Sequence, residues 1–358
     1  MICFRITNVS ILMLLLDLLS GVSAPCFAQA LVEPVLLLPY TTGSSVSDYR
    51  PVIDPAGKRM VFERTNYDLA TGRETDPELF IMRLGSAELP RALTPSLVSS
   101  ARPDWCWTGP SAYATGPIAF SNNRGVWTID PDEPGSLHLL PDTAGLIYPT
   151  WYGGCHQLAT MNAPSALSAP ITTKIDARNG SILEDALAGY GVWAGFPSLN
   201  PMDNQVMAFA GSVPVDHQLY NQDKNYIWIA NLTMRPFWIA PLDRTASTHR
   251  LSAQFQGRAG WWSPDGLWIT FESTRNCGPE GQKDSQYAIF IQSGSGSEPA
   301  RQVTDCGWNA QHAKWFSRDS THGHATLIVT VLRQFSKPGV NGPRGIAMLD
   351  VSNFVKLH

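Results

Sequence analysis

A short run of the form Pro-x-Trp-Ser-Pro-Asp-Gly returns six times along the chain, each time ahead of an apolar segment with strand character. Its plainest copy is Gly260-Trp261-Trp262-Ser263-Pro264-Asp265-Gly266, followed by Leu267-Trp268-Ile269-Thr270-Phe271. Looser copies open at Pro51, Pro103, Pro149, Pro197 and Ala313. A period of about fifty residues marks units that bury their apolar faces only by stacking on their neighbours.

Each repeat has a readable grammar. Proline is tolerated where a strand begins, Pro-Asp-Gly supplies the backbone of a tight turn, and the following run mixes β-branched and aromatic residues, so the first two strands form a hairpin. A third strand is expected at Glu78 to Met82, Gly125 to Ile129, Tyr226 to Ala230, Ala288 to Ile291 and Gly345 to Leu349, and a fourth at segments such as Arg91 to Thr94 and Arg301 to Thr304. Four strands per repeat and six repeats specify an all-β chain, a six-bladed β-propeller of four-stranded antiparallel blades. The run Val35 to Tyr40 is expected to complete the last blade and close the ring, removing exposed sheet edges. Abundant Gly (29), Pro (27) and Trp (12), with only 16% charged residues, suit turn-rich β structure better than helices.

Trp262 to Gly266, then Ile269 to Ser273, Ala288 to Ile291 and Arg301 to Thr304 together resemble the TolB-type, WD-like propeller repeat. That repeat occurs in bacterial envelope proteins and in the non-catalytic propellers of prolyl-oligopeptidase-like peptidases. The resemblance covers nearly all of the chain after its first thirty residues and is strongest in repeats one and five. Repeats three and four depart from it, with Gly153-Gly154-Cys155 and Pro201-Met202-Asp203 where Pro-Asp-Gly is expected. TolB carries an α/β domain ahead of its propeller. Only about twenty residues lie between the expected processing site and the first repeat here, so the resemblance implies the propeller alone.

Residues 1–30 read as a signal peptide and 31–358 as the propeller. Arg5 precedes the apolar run Ile11 to Leu16, and Ala28-Gln29-Ala30 is a small-x-small cleavage site. Cys26 does not suit lipid attachment because Pro25 precedes it. No later apolar run is long enough for a membrane span. A periplasmic or secreted location follows. Cleavage removes one base, Arg5, and one acid, Asp17, so the net charge stays at −4 and offers no footprint for nucleic acid.

Four cysteines then remain. Cys277 follows the second strand of repeat five and Cys306 precedes the first strand of repeat six, on the same face, so a disulfide between them is expected. Cys106 and Cys155 lie near the ends of first strands in neighbouring repeats, and either a bridge or two buried thiols fits the sequence.

Residues just ahead of the six first strands are expected to converge at the mouth of the central channel: Arg50, Arg102, Tyr148, Phe196, Arg258 with Ala259, and His312. Guanidinium groups, aromatic rings and an imidazole around one opening suit a carboxylate, a phosphate or an acidic peptide. The opposing reading pairs each arginine with an acid of its own blade, such as Asp48 or Asp104. Long polar connections from second to third strand, Glu63 to Pro77, Ser212 to Asn225, Ser273 to Gln286 and Gln334 to Pro343, emerge on the same face.

No catalytic residue, cofactor or metal ligand set is expected. The chain lacks a Gly-x-Ser-x-Gly elbow and a His-Glu-x-x-His motif, Gly294-Ser295-Gly296-Ser297 reads as a hairpin connection, and His322-x-His324 reads as a solvated turn. The sequence therefore favours a binding or scaffolding module for a protein or peptide partner in the cell envelope, with an anionic ligand as a further option. The alternative is a propeller enzyme, a lyase or hydrolase, acting on acidic carbohydrate.

Overall fold

A computed structural model describes residues 30–38, 45–95, 97, 99–107, 116–163, 170–187, 193–212, 226–233, 238–241, 257–278, 286–316, 324–334 and 342–355. Residues 1–29 of the expected signal peptide, Pro39 and Tyr40, His322, and most of the three later long loops lie outside them. The first long loop is described, and Tyr67 bridges Glu74 within it. Strand β1 (Val35–Leu36) leads into blade one, made of β2 (Val46–Ile53), β3 (Arg59–Asn66), β4 (Glu78–Arg83) and β5 (Arg91–Ala92). Blade two holds β6 (Ala101–Trp105), β7 (Ile118–Asn122), β8 (Gly125–Asp130) and β9 (Glu133–Leu139), and blade three holds β10 (Leu146–Tyr152), β11 (Gln157–Asn162), β12 (Thr172–Asp176) and β13 (Ile182–Ala186). Blade four holds β14 (Trp193–Asn200), β15 (Asp203–Ser212), β16 (Tyr226–Asn231) and β17 (Trp238–Pro241), and blade five β18 (Gly257–Trp262), β19 (Trp268–Ser273), β20 (Ala288–Ser293) and β21 (Arg301–Gln302). Blade six is β22 (Gln311–Trp315), β23 (Thr326–Leu332) and β24 (Arg344–Asp350), with β1 as its fourth strand. Val35 pairs with Met348 and Leu36 with Ala347, and the Leu37 amide donates to the Ile346 carbonyl at 2.9 Å.

Burial grades from channel to rim. Second strands are covered on both faces by neighbouring blades, so they read as nearly continuous apolar runs, as in Thr326–Leu332. Fourth strands, where their burial is described, are more exposed, as in Val35–Leu36 and Ile182–Ala186. The buried apolar residues fall into six clusters, one at each blade-to-blade contact. One joins Val61, Leu79 and Ile81 of blade one to Ile118, Phe120 and Ile129 of blade two. Another joins Ile53, Met60 and Phe62 to Ile328 and Ile346, where the ring closes.

The Pro-Asp-Gly turns connect first strands to second. In blade five the Gly266 amide donates to the Ser263 carbonyl at 2.9 Å and the Trp268 amide to Ser263 Oγ at 2.9 Å. Gly266 has φ +70°, and a Cβ there would run into Asn200 of blade four, so glycine is required. In blade one Asp54 Oδ1 accepts the amides of Lys58 and Arg59 at 2.7 and 3.0 Å.

Both pairs of cysteines are bonded, Cys277 to Cys306 and Cys106 to Cys155. Each disulfide joins adjacent blades. Among the described residues no helix is long and apolar enough to cross a membrane.

Candidate functional site

The six residues singled out above lie within the first strands, not ahead of them. Each first strand carries a β-bulge, between Tyr49 and Val52, Ala101 and Asp104, Ile147 and Thr150, Gly195 and Ser198, Arg258 and Trp261, and Gln311 and Lys314. Pairing begins on the far side of the bulge, as Val46 to Tyr49 do against Glu63 to Asn66. Proline, which has no N–H to offer, sits in the bulge of the first four blades. The residue before it is left-handed: φ is 45° at Arg50, 61° at Arg102, 54° at Tyr148 and 51° at Phe196, and 55° at the equivalent His312. Non-glycine residues rarely adopt this conformation, and five copies at one register make it a built feature of the ring. Arg258 stands one position earlier, with Ala259 in the bulge.

The bulge turns the amide of its first residue toward the preceding blade, where a second-strand side chain receives it. Arg50 N donates to Thr330 Oγ1 at 3.0 Å, Arg102 N to Glu63 Oε1, Phe196 N to Met161 Sδ at 3.1 Å and His312 N to Glu272 Oε2 at 2.6 Å. Glu63 and Glu272 use their other oxygen on a guanidinium, Arg50 Nη1 at 2.6 Å and Arg258 Nε respectively. Both carboxylates are buried, and all four oxygens are occupied. The opposing reading thus holds in kind for two of the three arginines, since Glu63 shares blade one with Arg50 and Glu272 shares blade five with Arg258, although the acids it named pair elsewhere, Asp48 with Arg64 and Asp104 with Lys314.

Arg50, Arg102, Tyr148, Phe196 and His312 line one narrow space. The Tyr148 and Phe196 ring centroids are 4.5 Å apart at 62°, and the Arg102 guanidinium lies 4.4 Å from the Tyr148 centroid. Arg258 lies instead over Tyr287, at 4.3 Å. Burial works to raise the Tyr148 phenol, but Arg50, Arg102 and Arg258 outweigh it and hold the group below its ordinary range. Burial pushes His312 well below the usual imidazole range, and Arg50, Arg258, Arg344 and Arg102 push the same way, so His312 is neutral. Three buried nitrogens here have no partner: Arg50 Nε, Arg102 Nε and His312 Nδ1. Arg344, a fourth guanidinium in this field, comes from the third strand of blade six and donates to the Asn309 carbonyl at 3.0 Å. Its position outside the repeat motif kept it out of the sequence reading.

The other end of the channel, where first strands turn into second, opens into a larger cavity of about 390 Å³. Trp151 and Trp261 line it, with Lys314 and Asp104 inside it. The signal was present in the motif, whose Trp recurs at Trp105, Trp151, Trp262 and Trp315; read as strand residues, they drew no functional expectation. Among the described residues, no group of three His, Cys, Asp or Glu side chains is placed to hold a metal ion.

A closed ring of six four-stranded blades around a pocketed channel defines a β-propeller. No protein-family model matches the chain, and no curated protein matches it by sequence. Among solved structures it is similar to a protein described as TolB from Agrobacterium tumefaciens, at 14% identity over 74% of this chain and 81% of that one, with a TM-score of 0.50. The β-propeller domain of the Trilobed protease from Pyrococcus furiosus aligns over 85% of this chain and 93% of its own at 9% identity, with a TM-score of 0.43. Prolyl oligopeptidase B from Galerina marginata aligns at 9% identity over 86% of this chain but only 43% of that one, with a TM-score of 0.45. At these identities the likeness is one of fold: the chain is a TolB-like six-bladed propeller.

Proposed function

We propose that this protein is an exported binding module of the periplasm or cell exterior, and that the arginine-rich mouth receives an acidic group of a protein or peptide partner in the envelope. The observation that supports this most is the set of unpartnered buried nitrogens, Arg50 Nε, Arg102 Nε and His312 Nδ1, on residues lining one space. Buried polar nitrogens left without a partner are costly, and a carboxylate oxygen satisfies the two arginine donors at once. Two disulfides agree with an oxidising compartment. Binding is favoured over catalysis because Glu63 and Glu272 spend every oxygen on amides and guanidinium groups, leaving neither as an acid or base for a substrate.

Affinity capture from an envelope extract tests the reading. Wild-type protein is expected to retain a partner that short acidic peptides displace, and Arg102→Ala is expected to lose it while still unfolding cooperatively within a few degrees of the wild type. Equal capture by both proteins would place the binding site elsewhere.

A further inference from the structure

The cavity at the turn face has a chemistry opposite to that of the mouth. Several indole N–H groups of the cavity are already used: Trp107 Nε1 donates to the Ile53 carbonyl at 3.3 Å, Trp151 Nε1 to that of Asp104 at 3.2 Å, Trp262 Nε1 to that of Ser198 at 3.1 Å and Trp315 Nε1 to that of Trp261 at 3.3 Å. Trp107, Trp151, Tyr152 and Trp261 are half-buried and line the space with their rings. On the channel side stands one ion pair. Lys314 of blade six meets Asp104 of blade two at 2.9 Å, and its ammonium also lies over the Trp261 ring. The Trp151 amide donates to the other Asp104 oxygen at 2.9 Å, so the pair is anchored. Its two charges cancel.

An aromatic wall beside a polar but neutral group fits a molecule with an apolar face and a hydroxylated edge. A wholly apolar ligand would strip water from the ion pair and return no hydrogen bond, and a charged one would meet a like charge in Lys314 or Asp104. The volume lies near the low end of the ~300–1,000 Å³ usual for small-molecule sites, which limits the ligand to a small one. We propose that this cavity binds a neutral pyranose saccharide of one or two rings, its C–H faces on Trp151 and Trp261 and its hydroxyls on the Lys314–Asp104 pair. This site adjoins the mouth, sharing Thr150, Trp261 and Lys314 with it, but it uses none of the mouth's arginines and does not depend on the function proposed there.

Titration with cellobiose, maltose and N,N′-diacetylchitobiose, followed by calorimetry and intrinsic tryptophan fluorescence, is expected to give saturable binding of at least one. A digalacturonate and a glucosamine disaccharide should bind at least tenfold more weakly. Trp151→Leu and Trp261→Leu should each weaken binding by about tenfold. Met202 is 69% exposed at the cavity rim and makes none of the indole ties, so Met202→Trp should obstruct binding and leave thermal unfolding unchanged. Arg102→Ala should bind the sugar normally, which separates failure of this site from failure of the mouth. No saturable binding of any neutral sugar, preference for a charged one, or full affinity in Met202→Trp would overturn the proposal.

Discussion

Arg50 and Arg102 occupy equivalent bulges, yet their guanidinium groups have different neighbours. Arg50 holds Glu63, whose side chain is 2% exposed, so Arg50→Ala leaves a buried carboxylate with only the Arg102 amide. That loss should cost about 2–3 kcal/mol, below the ~3–5 of a fully buried pair, because Arg50 keeps some contact with water. Arg258→Ala should behave alike through Glu272. Arg102 rests on the Tyr148 ring, and its removal should cost about 0.5–1 kcal/mol. Urea unfolding of the three variants checks the order; equal midpoints for Arg50→Ala and Arg102→Ala would contradict it.

Lys314 makes a pH-dependent contribution. Burial lowers its ammonium to about 8, against the opposing pull of Asp104. The folded form thus gives up this proton at lower pH than the unfolded chain, whose lysine titrates near 10.4. Between these values the unfolded chain binds more protons, so this group's contribution to stability rises with pH from about 8 upward. Melting temperatures of wild type and Lys314→Met across pH 7.5 to 9.5 should show a rise in the wild type that is absent in the variant. Parallel curves would contradict the assignment.

At the level of the strand, one short motif serves two blade-to-blade ties. The bulge amide reaches the second strand of the preceding blade, and the Trp three residues later donates its indole N–H to the preceding first strand in blades three, five and six. Trp262→Phe keeps most of the ring and removes only the bond to the Ser198 carbonyl. It should destabilise by about 1–2 kcal/mol, read from the denaturation midpoint. Part of this was legible in sequence: the motif spacing located all six first strands, but in blades one to four the proline expected to begin the strand sits in its bulge instead. Strand starts were misplaced because the proline reads as the first strand residue, and in blade one the residues before the bulge also look polar. Ser47 and Asp48 are fully buried, but through bonds to Arg344 and Arg64 that no local pattern reveals. Arg344 and the Lys314–Asp104 contact depend on blades far apart in sequence, beyond what a repeat motif encodes.

For the whole ring, stability is shared among six interfaces, each with its own apolar cluster, so closure matters as much as any one blade. The disulfides reinforce two of these contacts. They span 49 and 29 residues, and chain entropy assigns each about 4 kcal/mol. Reduction should therefore lower the urea midpoint markedly, and non-reducing peptide mapping should recover Cys277 with Cys306 and Cys106 with Cys155. The first pair was legible from two loops on one face. The second stayed open because repeat three replaces Pro-Asp-Gly with Gly153-Gly154-Cys155, whose turn geometry the motif does not specify.

The central claim, that the mouth takes an acidic group through Arg102, is tested most directly by titrating a fluorescent tetraglutamate peptide into wild type and Arg102→Ala at low and moderate salt. Loss of a charged hydrogen bond corresponds to about 1.5–3 kcal/mol, roughly a ten- to hundredfold rise in Kd. The predicted result is saturable, salt-sensitive binding to the wild type, weakened by that factor in a variant that melts normally. Absent binding to the wild type, or equal affinity in the two proteins, would contradict it.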